Sequence, residues 1–182
     1  MLNERSDREK ERVTKLKFKE WLDSHHVPYW YIHQHVDTYS NAVKRFMRKW
    51  IAVFLPKGYS SGRLSNSGPD FILLIPRVGL ILTHVEYKNP LKKHEDFPID
   101  YEETKQYINS QKYFNLQVWY VLSGEKHSFN TWLWISAANI LQKGKKYLSL
   151  EDKTAYLSVP IGEFIQVAKS DNLETLSEIC KY

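Results

Sequence analysis

Apolar and polar positions along the chain follow two periods, and the shifts between them mark the elements. Two short apolar runs, 71–75 (FILLI) and 80–85 (LILTHV), read as strands. Arg77, Val78 and Gly79, after Pro76, supply a turn, so the runs predict a hairpin. Residues 5–25 place Glu11, Thr14, Phe18, Leu22 and His25 on one helical face, with Trp21 at its edge. Asp7 is the expected N-cap of that helix, and Pro28 marks its end. Residues 28–36 then predict an aromatic-rich strand, 39–50 a short helix and 50–56 a buried strand. A hydroxyl-rich loop with three glycines follows at 57–68.

Beyond the hairpin, residues 89–100 read as a polar loop. Residues 100–114 read as a helix capped by Asp100, with Glu103 at the capping-box position. The runs 117–122 and 131–135 predict core strands. Ser136 is placed to cap a short helix to Gln142, closed by Gly144. Residues 146–159 suggest a hairpin with its turn near 151–153. A helical tail is expected from Pro160 through Leu173, Leu176 and Ile179. This mixture of strands and helices predicts an α/β fold.

Composition narrows the picture. The chain has 182 residues, 42% of them hydrophobic, enough for one domain with a packed core. No repeat, low-complexity tract or linker divides it, so residues 1–182 are expected to form a single domain. The net charge of +5 favours a polyanionic partner, although a solvated basic surface gives the same count. A single cysteine, Cys180, excludes a disulfide framework or a cysteine zinc site within one chain. The first residues lack the apolar core of a signal peptide, and no apolar run approaches the ~20 residues of a membrane span. The expectation is a soluble protein of a reducing, cytoplasmic compartment.

The candidate chemistry sits on the hairpin. Asp70, after Pro69, opens the first run, and Glu86 leaves the second. Antiparallel pairing brings the two acids to one end of the sheet. Side chains alternate along a strand, so Glu86 and Lys88 share a face and Tyr87 takes the other. Two acids at one sheet end repel unless a cation neutralises them. Mg²⁺ suits such a pair, because it accepts one or two carboxylates, keeps waters and takes a phosphate oxygen. Lys88 beside it could orient a water or stabilise charge on phosphorus. These residues point to metal-assisted phosphodiester hydrolysis. The plain alternative is a turn at Pro69-Asp70 and an exposed Glu86/Lys88 pair. His26, His33 and His35 also attract notice, but no third ligand is indicated by their spacing.

Pro69-Asp70 followed by Glu86-Tyr87-Lys88 resembles the signature of the PD-(D/E)xK nucleases. The wider run from Phe54 to Phe71, followed by VEYK, is similar to archaeal Holliday junction resolvases and to virus-type replication-repair nucleases. The resemblance spans roughly 11–135. It implies a restriction-endonuclease-like central mixed β-sheet flanked by helices, with 136–182 adding packing or dimer contacts. It implies Asp70, Glu86 and the Tyr87 backbone carbonyl as ligands to Mg²⁺, with Mn²⁺ as a substitute, and Lys88 as the residue that positions water. In such nucleases the first helix often lends a glutamate. Glu11 is the candidate, against the reading of a solvated side chain in a frayed turn. The helix after the Glu-x-Lys strand often lends a polar residue, for which Gln106 and Lys105 are candidates. A DNA substrate, branched in the resolvase case, and a homodimer follow from the same resemblance.

Several basic and hydroxyl side chains complete the candidate interface. Arg45, Arg48 and Lys49, on the 39–50 helix, could meet phosphates or face solvent. Lys57, Ser60, Ser61 and Arg63 lie on the 57–68 loop, where backbone amides and hydroxyls suit phosphate contacts. A non-catalytic nucleic-acid-binding module on the same fold is the main alternative function.

Overall fold

A computed structural model describes residues 2–32, 68–91, 95–124, 129–149, 153–171 and 177. A mixed sheet stands at the centre. Its strands are β1 (Tyr29–Tyr31), β2 (Phe71–Ile75), β3 (Gly79–Tyr87), β5 (Val118–Ser123), β6 (Thr131–Ser136) and β9 (Ile165–Ala168), in that spatial order. The β3–β5 pair is parallel and the other neighbours are antiparallel. Strands β4 (Asp96–Asp100), β7 (Lys145–Leu148) and β8 (Ala155–Pro160) form a separate antiparallel sheet in the order β4-β8-β7. Among the described residues the helices are α1 (Leu2–Ser24), α2 (Tyr101–Phe114) and α3 (Ala137–Lys143).

Alternation along the strands divides the core in two. Phe71, Leu73, Ile81, Val85, Trp119, Val121, Trp132 and Trp134 face α1. Leu82, Tyr120, Leu122, Leu133 and Ile135 face α2, α3 and the small sheet. β5 is buried along its whole length, as a central strand covered on both faces must be. Phe18 docks α1, with its ring centroid 5.0 Å from Trp132, 5.4 Å from Phe71 and 5.7 Å from Trp134.

The expected α/β class, the 71–75/80–85 hairpin and both caps hold. Phe71 pairs with Thr83, and Asp100 accepts the Glu103 N–H at 2.7 Å. Ser136 accepts the Asn139 N–H at 3.2 Å. Gly144 closes α3 by close approach, not by a left-handed turn. Its φ is −71°, and an added Cβ would lie 2.7 Å from the Ile140 carbonyl oxygen.

Three expectations need correction. The first helix starts at Leu2, so Asp7 lies inside it and does not cap it. The polar loop expected at 89–100 ends in strand β4. There Phe97 and Ile99 alternate inward, and Pro98 is tolerated because β4 is an edge strand with one partner. From Pro160 to Ala168 the expected helical tail is instead a short 3₁₀ turn, Ile161–Glu163, followed by β9, while Ser177 is helical and the rest of the tail beyond Asp171 lies outside the described residues. Ile165 and Val167 satisfy the open edge of β6, and that pairing outweighs helical spacing. The expected elements at 39–50, 50–56 and 57–67, and the strand beyond Ile32, lie outside the described residues.

Phe18→Ala should lower stability by about 3–5 kcal/mol, since it empties the contact between α1 and the sheet. Urea unfolding measures this. A loss under about 1 kcal/mol would show that α1 is not docked through Phe18.

Candidate active site

The hairpin brings its acids together, with a residue between them that the motif does not contain. Asp70 immediately precedes β2, its N–H donating to the Thr83 carbonyl at 2.7 Å. Its carboxylate is fully buried. Lys15 of α1 pairs with Oδ1 at 2.8 Å, and the Val85 N–H donates to Oδ2 at 2.7 Å. His84 Nδ1 stands 3.2 Å from the same Oδ2. The other ring nitrogen, Nε2, is 3.3 Å from Glu86 Oε1 and 3.7 Å from Glu103 Oε1. His84 therefore bridges the two acids of the sequence motif.

Strand parity explains the grouping. His84 and Glu86 are two residues apart on β3, so both project on the α2 side. Lys88 continues that alternation, and its Nζ lies 3.6 Å from Glu86 Oε2. The backbone holds it there. The Lys88 N–H donates to the Ser123 carbonyl at 2.9 Å, and Gly124 packs so close that a Cβ would run into the Lys88 carbonyl oxygen. Glu103 comes from the first turn of α2, where the Asp100 cap fixes the helix start. The Tyr107 hydroxyl donates to Glu103 Oε1 at 3.5 Å. The His84 ring is packed between Tyr107 and Tyr120, each centroid 5.3 Å away.

The cluster opens on a cleft of about 470 Å³ at the sheet end. Arg8, Glu11, Arg12 and Lys15 line it from α1, and Tyr31 from β1. Glu11 is thus near the site, as expected, but its Oε1 pairs with Lys15 at 2.6 Å, so a lysine stands between it and Asp70. On α2, Glu103 lines the cleft. Gln106 is not among its lining residues, and Lys105 pairs with Glu102 at 3.4 Å. On the opposite face of β3, Lys10 Nζ lies 5.3 Å from the Tyr87 ring centroid. Arg45, Arg48, Lys49, Lys57, Ser60, Ser61 and Arg63 lie outside the described residues, as do His33 and His35.

The charges hold one another in place. Burial works against ionisation of Asp70, but His84 and Lys15 outweigh it and keep the carboxyl below its ordinary range. Burial likewise opposes charge on Glu86, and Lys88 and His84 reverse that to lower it. For His84, burial favours the neutral ring, yet Asp70 and Glu86 hold its pKa well above the usual value. Glu103 is raised by burial and by the Glu86 charge, against the pull of His84.

These residues fit a divalent cation. Glu86 Oε2 is buried with no hydrogen-bond partner among the described residues. The two His84 nitrogens approach carboxylates without the alignment of a hydrogen bond. One ligand atom from each of His84, Glu86 and Glu103 falls within 4.8 Å of the other two. His84, Glu103, Lys15 and Arg8 did not emerge from the sequence. The alternation 84, 86, 88 was the available signal for His84. Glu103 was visible only as a capping residue.

No family model matches the chain. No curated protein matches it either. Among solved structures it is similar to Hjc, a Holliday junction resolvase of the archaeal hyperthermophile Archaeoglobus fulgidus. Identity is 12% and the TM-score 0.36, over 75% of this chain and 98% of that one. It is also similar to D212, a nuclease from a fusselovirus, at 15% identity and a TM-score of 0.39, over 77% of this chain and 83% of that one. Among the described residues, no helix is long and apolar enough to cross a membrane.

Two stability effects follow. Lys15→Met should destabilise the protein by about 3–5 kcal/mol at neutral pH, because it strands a buried carboxylate. Adding Asp70→Asn should recover much of that loss in chemical denaturation. The raised His84 pKa gives the opposite pH sign to a lowered carboxyl. Its contribution is complete below the unfolded value of 6.5 and is lost as pH rises toward the folded value. Melting in EDTA should therefore show stability falling above about pH 6.5 in wild type, with that slope missing in His84→Gln.

Proposed function

We infer that this protein is a metal-dependent nuclease of the PD-(D/E)xK type, acting on the phosphodiester bonds of DNA. The supporting observation is the gathering of Asp70, His84, Glu86, Lys88 and Glu103 at the mouth of one cleft, on the hairpin that carries the motif. The fold supplies the geometry such a site needs, a rigid sheet end covered by a helix on each face.

A bound Mg²⁺ or Mn²⁺ would polarise the scissile phosphate and acidify the attacking water. Glu86 would hold the ion. Asp70 stands one imidazole away, and the Tyr87 backbone carbonyl is a further ligand candidate. The Lys88 ammonium orients the attacking water and offsets charge developing on phosphorus. Arg8 and Arg12, on the cleft wall, suit flanking phosphates, and Glu11 sets the position of Lys15. Lys57, Ser60, Ser61 and Arg63, with Arg45, Arg48 and Lys49, would extend the nucleic-acid track. A branched DNA substrate and a homodimer belong to this reading, because a four-way junction needs two symmetric cuts. A reducing compartment fits the single cysteine.

The test is cleavage of labelled duplex, single strand, flap and four-way junction with Mg²⁺, Mn²⁺ or EDTA. Glu86→Ala should lose cleavage by about 10³-fold or more while keeping DNA binding. Unchanged cleavage in this variant would remove Glu86 from the site. Tight binding with no cutting by wild type would leave a non-catalytic binding module.

A further inference from the structure

The five-residue cluster contains two ways to hold an ion, and they differ in which acid touches it. In the motif's own pattern Asp70 and Glu86 are the ligands. In this chain the Asp70 carboxylate already has Lys15 on Oδ1 and the Val85 N–H on Oδ2. His84 lies between the two acids, with Nδ1 toward Asp70 and Nε2 toward Glu86 and Glu103. We propose that the metal ligands are His84 Nε2, Glu86 and Glu103, that Asp70 is a positioning residue acting through His84 Nδ1, and that the site therefore prefers a divalent transition ion to Mg²⁺. The proposal deepens the nuclease reading and rests on it for the purpose of the ion, not for its binding.

Three observations carry it. The first is spacing. Bonds of about 2.1 Å place neighbouring ligand atoms about 3.0 Å apart at right angles and about 3.4 Å apart in a tetrahedron. The Nε2 to Glu86 distance is 3.3 Å and the Nε2 to Glu103 distance 3.7 Å, so an ion needs little rearrangement. The second is the state of the donors. His84 is 4% exposed, and neither ring nitrogen has an aligned hydrogen bond among the described residues. Such a polar group aimed into a carboxylate pair is under-used without an ion. The third is the Asp70–His84 contact. The Asp70 carboxylate beside Nδ1 orients the ring so that Nε2 faces the ion, and binding releases the Nε2 proton of the charged ring to water. The backbone amide and Lys15 anchor Asp70, and the rings of Tyr107 and Tyr120 pack against His84.

Metal preference follows from the donor set. One imidazole and two carboxylates suit Mn²⁺, Zn²⁺ and their neighbours, whereas Mg²⁺ favours oxygen donors and near-ideal octahedral geometry. The cleft side stays open for water and a phosphate oxygen.

The experiment is titration of the full chain with Mn²⁺, Zn²⁺ and Mg²⁺ by calorimetry, without nucleic acid. Pulsed electron paramagnetic resonance of the Mn²⁺ form provides the second readout. Wild type should bind Mn²⁺ at least about 100-fold more tightly than Mg²⁺ and show ¹⁴N coupling from one imidazole. Glu103→Gln should weaken Mn²⁺ binding by about 10–100-fold while keeping the nitrogen coupling, and Asp70→Asn should weaken it by a similar factor. His84→Gln should lose the coupling. The proposal is overturned by the absence of nitrogen coupling in wild type, or by unchanged affinity in Glu103→Gln. Both tests stand if His84→Gln fails to fold. Tight Mn²⁺ binding with nitrogen coupling but no cleavage would sink the nuclease reading and keep the metal site. Metal-dependent cleavage without nitrogen coupling would do the reverse.

Discussion

A fully buried carboxylate, Asp70, is the constraint on which the rest depends. An ion of its size loses several kcal/mol of hydration on burial unless partners replace the water. Two elements supply those partners: Lys15 from α1, and the Val85 amide and the His84 imidazole from β3. The charge thus ties the first helix to the hairpin at the point where the cleft opens. Phe18 and Trp21 dock the same helix by apolar contact farther along. Packing sets the angle of α1, and the ion pair sets where its polar end stops.

The same partners offset the mutual repulsion of the gathered acids. His84 and Lys15 are positive groups placed among Asp70, Glu86, Glu11 and Glu103. A site of acids alone would push one pKa up or force the acids apart. Here the protein carries its own counter-charges, so the arrangement belongs to the fold.

Much of this was legible in the chain. The hairpin could be read from two apolar runs, a turn and the flanking acids, because its contacts are local. The Asp100 and Ser136 caps were equally plain, since capping depends on a few adjacent residues. Strand β9 was not legible. Its Ile165, with Phe164 just before it, fits a helix locally, and only the unpaired edge of β6, some thirty residues earlier in the chain, makes 165–168 a strand. The site divides in the same way. Glu86 and Lys88 followed from alternation, and His84 lay on the same face by the same rule. Glu103 and Lys15 could not be found so, because they reach the site from helices whose placement depends on long-range packing. Glu11 sits on the expected helix but is held by Lys15 and not turned directly to Asp70.

Parity along β3 has a consequence for how errors are excluded. Residues 81, 83, 85 and 87 face one way, and 82, 84, 86 and 88 the other. A one-residue slip would exchange the two sets. His84 and Glu86 would then press into the dry packing around Phe18, Trp119 and Trp134. Charges stranded there would cost several kcal/mol each. The polar residues of this strand therefore act as gatekeepers during assembly. They reject a misaligned sheet that the apolar residues alone, Leu80 to Leu82 with their near-equal neighbours, would tolerate.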